Sequence, residues 1–128
     1  MPRFFNPTDM AAPLGAYSHA ALSEGGGRTL HVAGQVGVDP DGAIPPDVGA
    51  QSELVWRNLA EILKAAGMGI QDVVKVNAYL LSPDDLPAFG AVRSRWLGDH
   101  RPASTLVFVS ALVKPELRVE VDLVAMKP

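Results

Sequence analysis

Glu120 is the titratable residue of this chain best placed to do chemistry. It stands on the polar side of a segment in which Val119, Val121, Leu123 and Ala125 alternate with Arg118, Glu120, Asp122 and Val124. A carboxylate there is a candidate for a catalytic role. The same pattern also describes a charge on a solvated strand face or in an ion pair between molecules. Tyr17 offers an aromatic ring with a hydroxyl handle, which suits an organic ligand and suits a packed interface equally. Gly34, between Ala33 and Gln35, lets backbone approach a ligand or a neighbouring strand closely. Arg101-Pro102-Ala103-Ser104 adds a guanidinium and a hydroxyl, and Arg93 lies a short way upstream.

Composition narrows the chemistry. The chain has no cysteine, so thiol catalysis and disulfides are excluded, which fits a cytoplasmic protein. His19, His31 and His100 show no metal-ligand spacing, and neither a metal nor a cofactor is expected. The net charge is −3 with no basic block, so there is no electrostatic footprint for nucleic acid. No apolar run reaches the roughly 18 residues of a membrane helix, and no basic-then-apolar signal opens the chain.

The elements that must position these residues read in the order ββαβαββ within a single domain, 1–128, without repeats. Tyr17 to Leu22 and Thr29 to Val36 form a hairpin across Gly25-Gly26-Gly27, where positive φ costs glycine little. Val48 to Ala66 reads as a helix, with Val55, Leu59, Ile62, Leu63 and Ala66 inward and Gln51, Arg57, Glu61 and Lys64 outward. Gly67 stands at its C-terminal cap. Val73 to Leu81 is a strand with Val74, Val76, Ala78 and Leu80 on one side and Lys75, Asn77 and Tyr79 on the other. Ser82-Pro83-Asp84-Asp85 starts a second helix whose buried stripe is Leu86, Phe89, Val92 and Trp96. Thr105 to Val109 and Leu117 to Ala125 close the chain. Trp56 and Trp96 are expected to pack against the sheet or a neighbour. The order implies an α+β fold: a mixed, six-stranded sheet with both helices on one face. The other face carries Lys75, Asn77, Tyr79, Arg118, Glu120 and Val124. It can face water, or it can pack against copies of itself.

Gly15-Ala16-Tyr17-Ser18-His19-Ala20, Ala33-Gly34-Gln35, Asn58, Ala65-Ala66-Gly67, Val73-Val74-Lys75, Arg101-Pro102-Ala103-Ser104 and Val119-Glu120-Val121 follow one another in an order that resembles the Rid family (YjgF/YER057c/UK114). The resemblance spans nearly the whole chain. It implies a chorismate-mutase-like homotrimer with small-molecule sites between subunits, and deamination of an enamine or imine. It also implies that Glu120 orients the attacking water, with Tyr17, Ala33, Gly34, Ser104 and Arg101 around the ligand. There are departures. Ala33 stands for a serine, His19 for a glutamine, and Ser104 for the arginine that holds a substrate carboxylate in deaminating members. A guanidinium binds a carboxylate through a planar fork, whereas a serine hydroxyl gives one neutral donor. Arg101 and Arg93 are the candidates to replace it. Hydrolysis of a different C=N substrate, a non-catalytic metabolite sensor or regulatory binding protein, and the endoribonuclease or translation inhibitor reported for some relatives remain the alternatives. RNA is the least favoured on charge.

Overall fold

Three consecutive glycines set the first turn, and every one has positive φ: 148° at Gly25, 69° at Gly26 and 116° at Gly27. They join β2 (Ala20–Glu24) to β3 (Arg28–Val36) as an antiparallel hairpin. The computed structural model describes residues 3–13 and 18–128. A short strand, β1 (Arg3–Phe5), precedes this hairpin and pairs with β2. It supplies the sixth strand, which the ββαβαββ reading does not number. The rest follows the expected order: α1 (Val48–Ala65), β4 (Val73–Leu80), α2 (Leu86–Leu97), β5 (Ala103–Phe108) and β6 (Val119–Lys127). The strands run β1-β2-β3-β6-β4-β5 in one mixed sheet, with β4 and β5 parallel and the other pairs antiparallel.

Both helices cover one face of the sheet. Val55, Trp56, Leu59, Ile62 and Leu63 of α1 meet Leu30, Val32, Val76, Ala78, Val121 and Leu123 of the strands in one core. Asp47 caps α1 by accepting from Ala50 N, and Gly67, with φ 72°, closes it.

Four details of the sequence reading change. Gln51, read as outward, is fully buried: its Nε2 donates to Pro45 O and Glu116 O, and its Oε1 accepts from Arg118 N. Helical periodicity sorts residues by direction, and a buried amide is stable wherever backbone partners meet it. Val74, read as inward, is exposed, because an irregularity between Val73 and Lys75 turns Val73 into the core instead. Leu86 is exposed at the start of α2, where Asp85 is buried in its place and paired with Arg118 at 2.8 Å. Arg118 therefore reaches toward α2 rather than standing on the open sheet face.

Candidate functional site

The pairing of β3 with β6 shifts register between Val32 and Gln35, so Ala33 and Gly34 form a bulge facing the stretch that carries Glu120 and Asp122. A bulge re-aims side chains, and here it seats a carboxylate on bare backbone. A methyl group at Gly34 would overlap Glu120 Oε2 and lie 2.8 Å from Glu120 Cδ. Gly34 is thus needed for the absence of its side chain: the Glu120 carboxyl occupies that space.

On the same open face, Tyr79 of β4 stands directly across from Glu120, and Asn77 across from Asp122. Asp122 accepts from Asn77 Nδ2 at 2.8 Å through one oxygen and from Tyr79 OH at 2.9 Å through the other. Glu120 is held above the ordinary carboxylate range, first by burial and then by the negative charge of Asp122. The Tyr79 hydroxyl is raised as well, first because it donates to Asp122, then by burial and by the charges of Asp122 and Glu120. The arrangement is a half-buried carboxyl with a fixed polar neighbourhood, able to hold or move a proton. Asp122, Tyr79 and Asn77 were not singled out from the sequence. Strand alternation places each on the open face, but only the register shows that they touch.

His19 lies behind the bulge. It is buried just before β2, and its Nε2 contacts Ala11 O at 3.0 Å. A carbonyl can only accept, so that nitrogen carries the proton, and Nδ1 accepts from Gln35 Nε2 at 2.9 Å. Gln35 Nε2 also donates to Ala33 O at 3.1 Å, which ties the bulge to this histidine. His19, which falls within the Tyr17 to Leu22 strand of the sequence reading, is instead a buried anchor just ahead of β2.

Ser104 sits elsewhere. It pairs in register with Val76, whose side chain is buried under the helices, so Ser104 faces the helix side of the sheet, away from Glu120. It lines a cleft of about 340 Å³ between α2 and the start of β5, together with Arg93, Leu97, His100 and Arg101. Arg101 donates to the carbonyls of Gly98 and His100, and Arg93 stacks on the Phe89 ring at 5.5 Å. Within one chain the structure therefore gathers Ala33, Gly34 and Glu120 in one place and Ser104, Arg101 and Arg93 in another. Tyr17 lies outside the described residues. No group of three or more metal-ligating side chains occurs among the described residues.

Comparison with known proteins places this geometry in context. A family profile described as Endoribonuclease L-PSP matches residues 8–127. A RutC family protein of Pyrococcus horikoshii is 35% identical over 90% of this chain and 90% of its own length. The 2-iminobutanoate/2-iminopropanoate deaminase of Rattus norvegicus is 34% identical over 91% of this chain and 83% of its own. The solved structure of RidA from the Antarctic bacterium Psychrobacter sp. PAMC 21119 superposes with a TM-score of 0.88 at 31% identity, covering 96% of this chain and 98% of that one.

Proposed function

The chain belongs to the Rid (YjgF/YER057c/UK114) family, and from that premise we propose that it binds a small organic metabolite bearing an enamine or imine and hydrolyses its C=N bond. The observation that carries the reading is Glu120 seated on Gly34, half-buried, with its proton affinity raised. In the reaction, the ionised Glu120 takes a proton from water as the water oxygen bonds to the imine carbon. The C=N electron pair moves to nitrogen, which takes up a proton. Glu120 then passes the adduct's O–H proton to the nitrogen, the C–N bond breaks, and ammonia leaves as the carbonyl forms. A general base whose affinity for the proton is raised toward the working pH performs both the taking and the return.

The two groups of residues lie apart on one sheet: β5 is its edge strand, and β4 and β6 stand between it and the β3 bulge. A ring of identical subunits joined head to tail would set the β5 cleft of one copy against the β3 bulge of the next, which supports a homotrimer with sites at its seams. Tyr17 and Ala33 belong to the ligand wall in this reading. Ser104 supplies one neutral donor where a fork is needed, so position 104 by itself is expected to support only weak 2-iminopropanoate turnover. The acidic balance favours a small metabolite over RNA, and a cytoplasmic setting is expected.

The test couples an amino-acid oxidase to the protein and follows imine decay and ammonia release over a series of imino acids, with Glu120→Gln as the control. Decay that is accelerated by the wild type and lost in the variant supports hydrolysis. Ligand binding with no turnover for any imine would replace this reading with a metabolite-binding protein.

A further inference from the structure

The cleft between α2 and β5 holds two positive charges and no negative one. Among the described residues the ion pairs are Arg95–Glu53 and Arg118–Asp85. Arg93 and Arg101, which both line the cleft, have no carboxylate partner. Their present contacts do not use up their donors. Arg93 lies over the Phe89 ring, a contact that orients a guanidinium plane and leaves its N–H edge available. Arg101 spends one nitrogen, Nη1, on the carbonyls of Gly98 and His100, which fixes the side chain on its own loop. His100 is pinned in turn, its Nε2–H donating to Val73 O at 2.7 Å. The floor is Val76, Leu97 and Pro102, and Ser104 contributes a hydroxyl. Two oriented guanidinium groups, a hydroxyl and an apolar floor around about 340 Å³ match a small organic acid: carboxylate on the arginines, carbon skeleton on the floor.

We propose that Arg93 and Arg101 together bind the carboxylate of a small organic acid in the cleft between α2 and β5, in place of a single arginine at position 104. This deepens the reading of function above and rests on it for the identity of that acid as substrate. The charge is gripped from the helix and the preceding loop instead of from the strand. The acid is therefore held on the α2 side of Ser104, and ligand choice is set by residues outside the strand motif.

The probe is 2-oxobutyrate, a stable carbonyl mimic of an imino acid, titrated calorimetrically into wild type, Arg93→Ala, Arg101→Ala, the double variant and Arg95→Ala. Arg95 is on the same helix, exposed and paired with Glu53, so its loss removes an equal charge outside the cleft. Each single cleft variant is expected to weaken binding about tenfold and the double variant more, with Arg95→Ala within twofold. Arg93→Lys, which keeps the charge without the fork, should fall between. Circular dichroism of each variant reports that it is folded. Absence of 2-oxobutyrate binding in the wild type, or an undiminished affinity in the folded double variant, overturns the proposal. Imine hydrolysis is measured separately. If the wild type binds through the arginines but hydrolyses no imine, the cleft assignment stands and the hydrolase reading falls. If Glu120-dependent turnover and 2-oxobutyrate affinity both survive loss of both arginines, the reverse holds.

Discussion

At the scale of single residues, the proposed chemistry turns on Glu120 and what surrounds it. Its carboxyl is raised by burial and by Asp122, so the folded state holds the proton more tightly than the unfolded chain does. The contribution to stability is complete below the ordinary glutamate range and is lost as pH rises through the raised folded value. Glu120→Gln removes a charge that is costly at neutral pH and is expected to raise the melting temperature there, with the gain fading as pH falls below the ordinary carboxylate range. Parallel melting curves at pH 7.5 and pH 4 check the sign, and a gain that grows toward acid contradicts the assignment. The same shift places the acid limb of any hydrolytic activity above that of an unperturbed glutamate. Gly34→Ala is the sharper probe of position. What the new methyl meets is the flexible end of Glu120, not backbone, so the protein should fold with a melting temperature within a few degrees of wild type. The carboxylate would be pushed aside, and kcat should fall at least about tenfold, since misplacement of a catalytic group by about an ångström can cost that much or more. Unchanged kcat would show that Glu120 does not act from this seat.

Elements matter next, because the site is held by the seams between them. Gln51 of α1 is the clearest case: three backbone groups, at Pro45, Glu116 and Arg118, depend on one buried amide. Gln51→Leu keeps the volume but leaves those three groups without partners. At about 1–3 kcal/mol for each buried group left unsatisfied, the loss should reach several kcal/mol, read as a lower urea midpoint with little change in slope. Because Arg118 adjoins β6 and forks onto Asp85 with contacts of 2.8–3.2 Å, the same change should loosen the strand that carries Glu120. A midpoint within experimental error of wild type would mean that solvent replaces the amide. Gly37 marks a second seam. A methyl there would lie 2.7 Å from Gln51 Cα, which is helix backbone and cannot swing away. Gly37→Ala is expected to cost about 1–3 kcal/mol through overpacking, in contrast to Gly34→Ala.

For the whole molecule the open sheet face and the β5 edge set the terms. β5 pairs in parallel with β4 and then ends the sheet, with Ala103, Ser104, Thr105, Val107 and Phe108 all exposed. Parallel strands are ordinarily covered on both faces, and an open edge invites pairing. Phe4 and Met126 add exposed apolar surface. The expected outcome is a homotrimer: sedimentation equilibrium at micromolar protein should return three times the 13.5 kDa chain mass. A monomer would leave the β3 bulge and the β5 cleft as separate half-sites and would remove the shared site.

What was legible in the sequence was whatever depends on direction along one element. Alternation in Val119 to Ala125 placed Glu120 on a polar face, helical spacing found the buried side of α1, and three adjacent glycines marked the hairpin. Ordered short motifs were enough to point to the family. What depends on two segments meeting was not legible. The bulge at Ala33-Gly34 that seats Glu120, the hold of Asn77 and Tyr79 on Asp122, the burial of Gln51, and the exchange of Val74 for Val73 each require the register between strands or the docking of a helix. The same is true of the arginines. As a string, Arg93 and Arg101 are two surface charges eight positions apart. Only the packing of α2 beside β5 sets them around one cleft with Ser104 and gives them no carboxylate of their own among the described residues. Local patterns follow from backbone geometry within an element, whereas a site is made by contacts between elements distant in sequence, which tertiary packing alone decides.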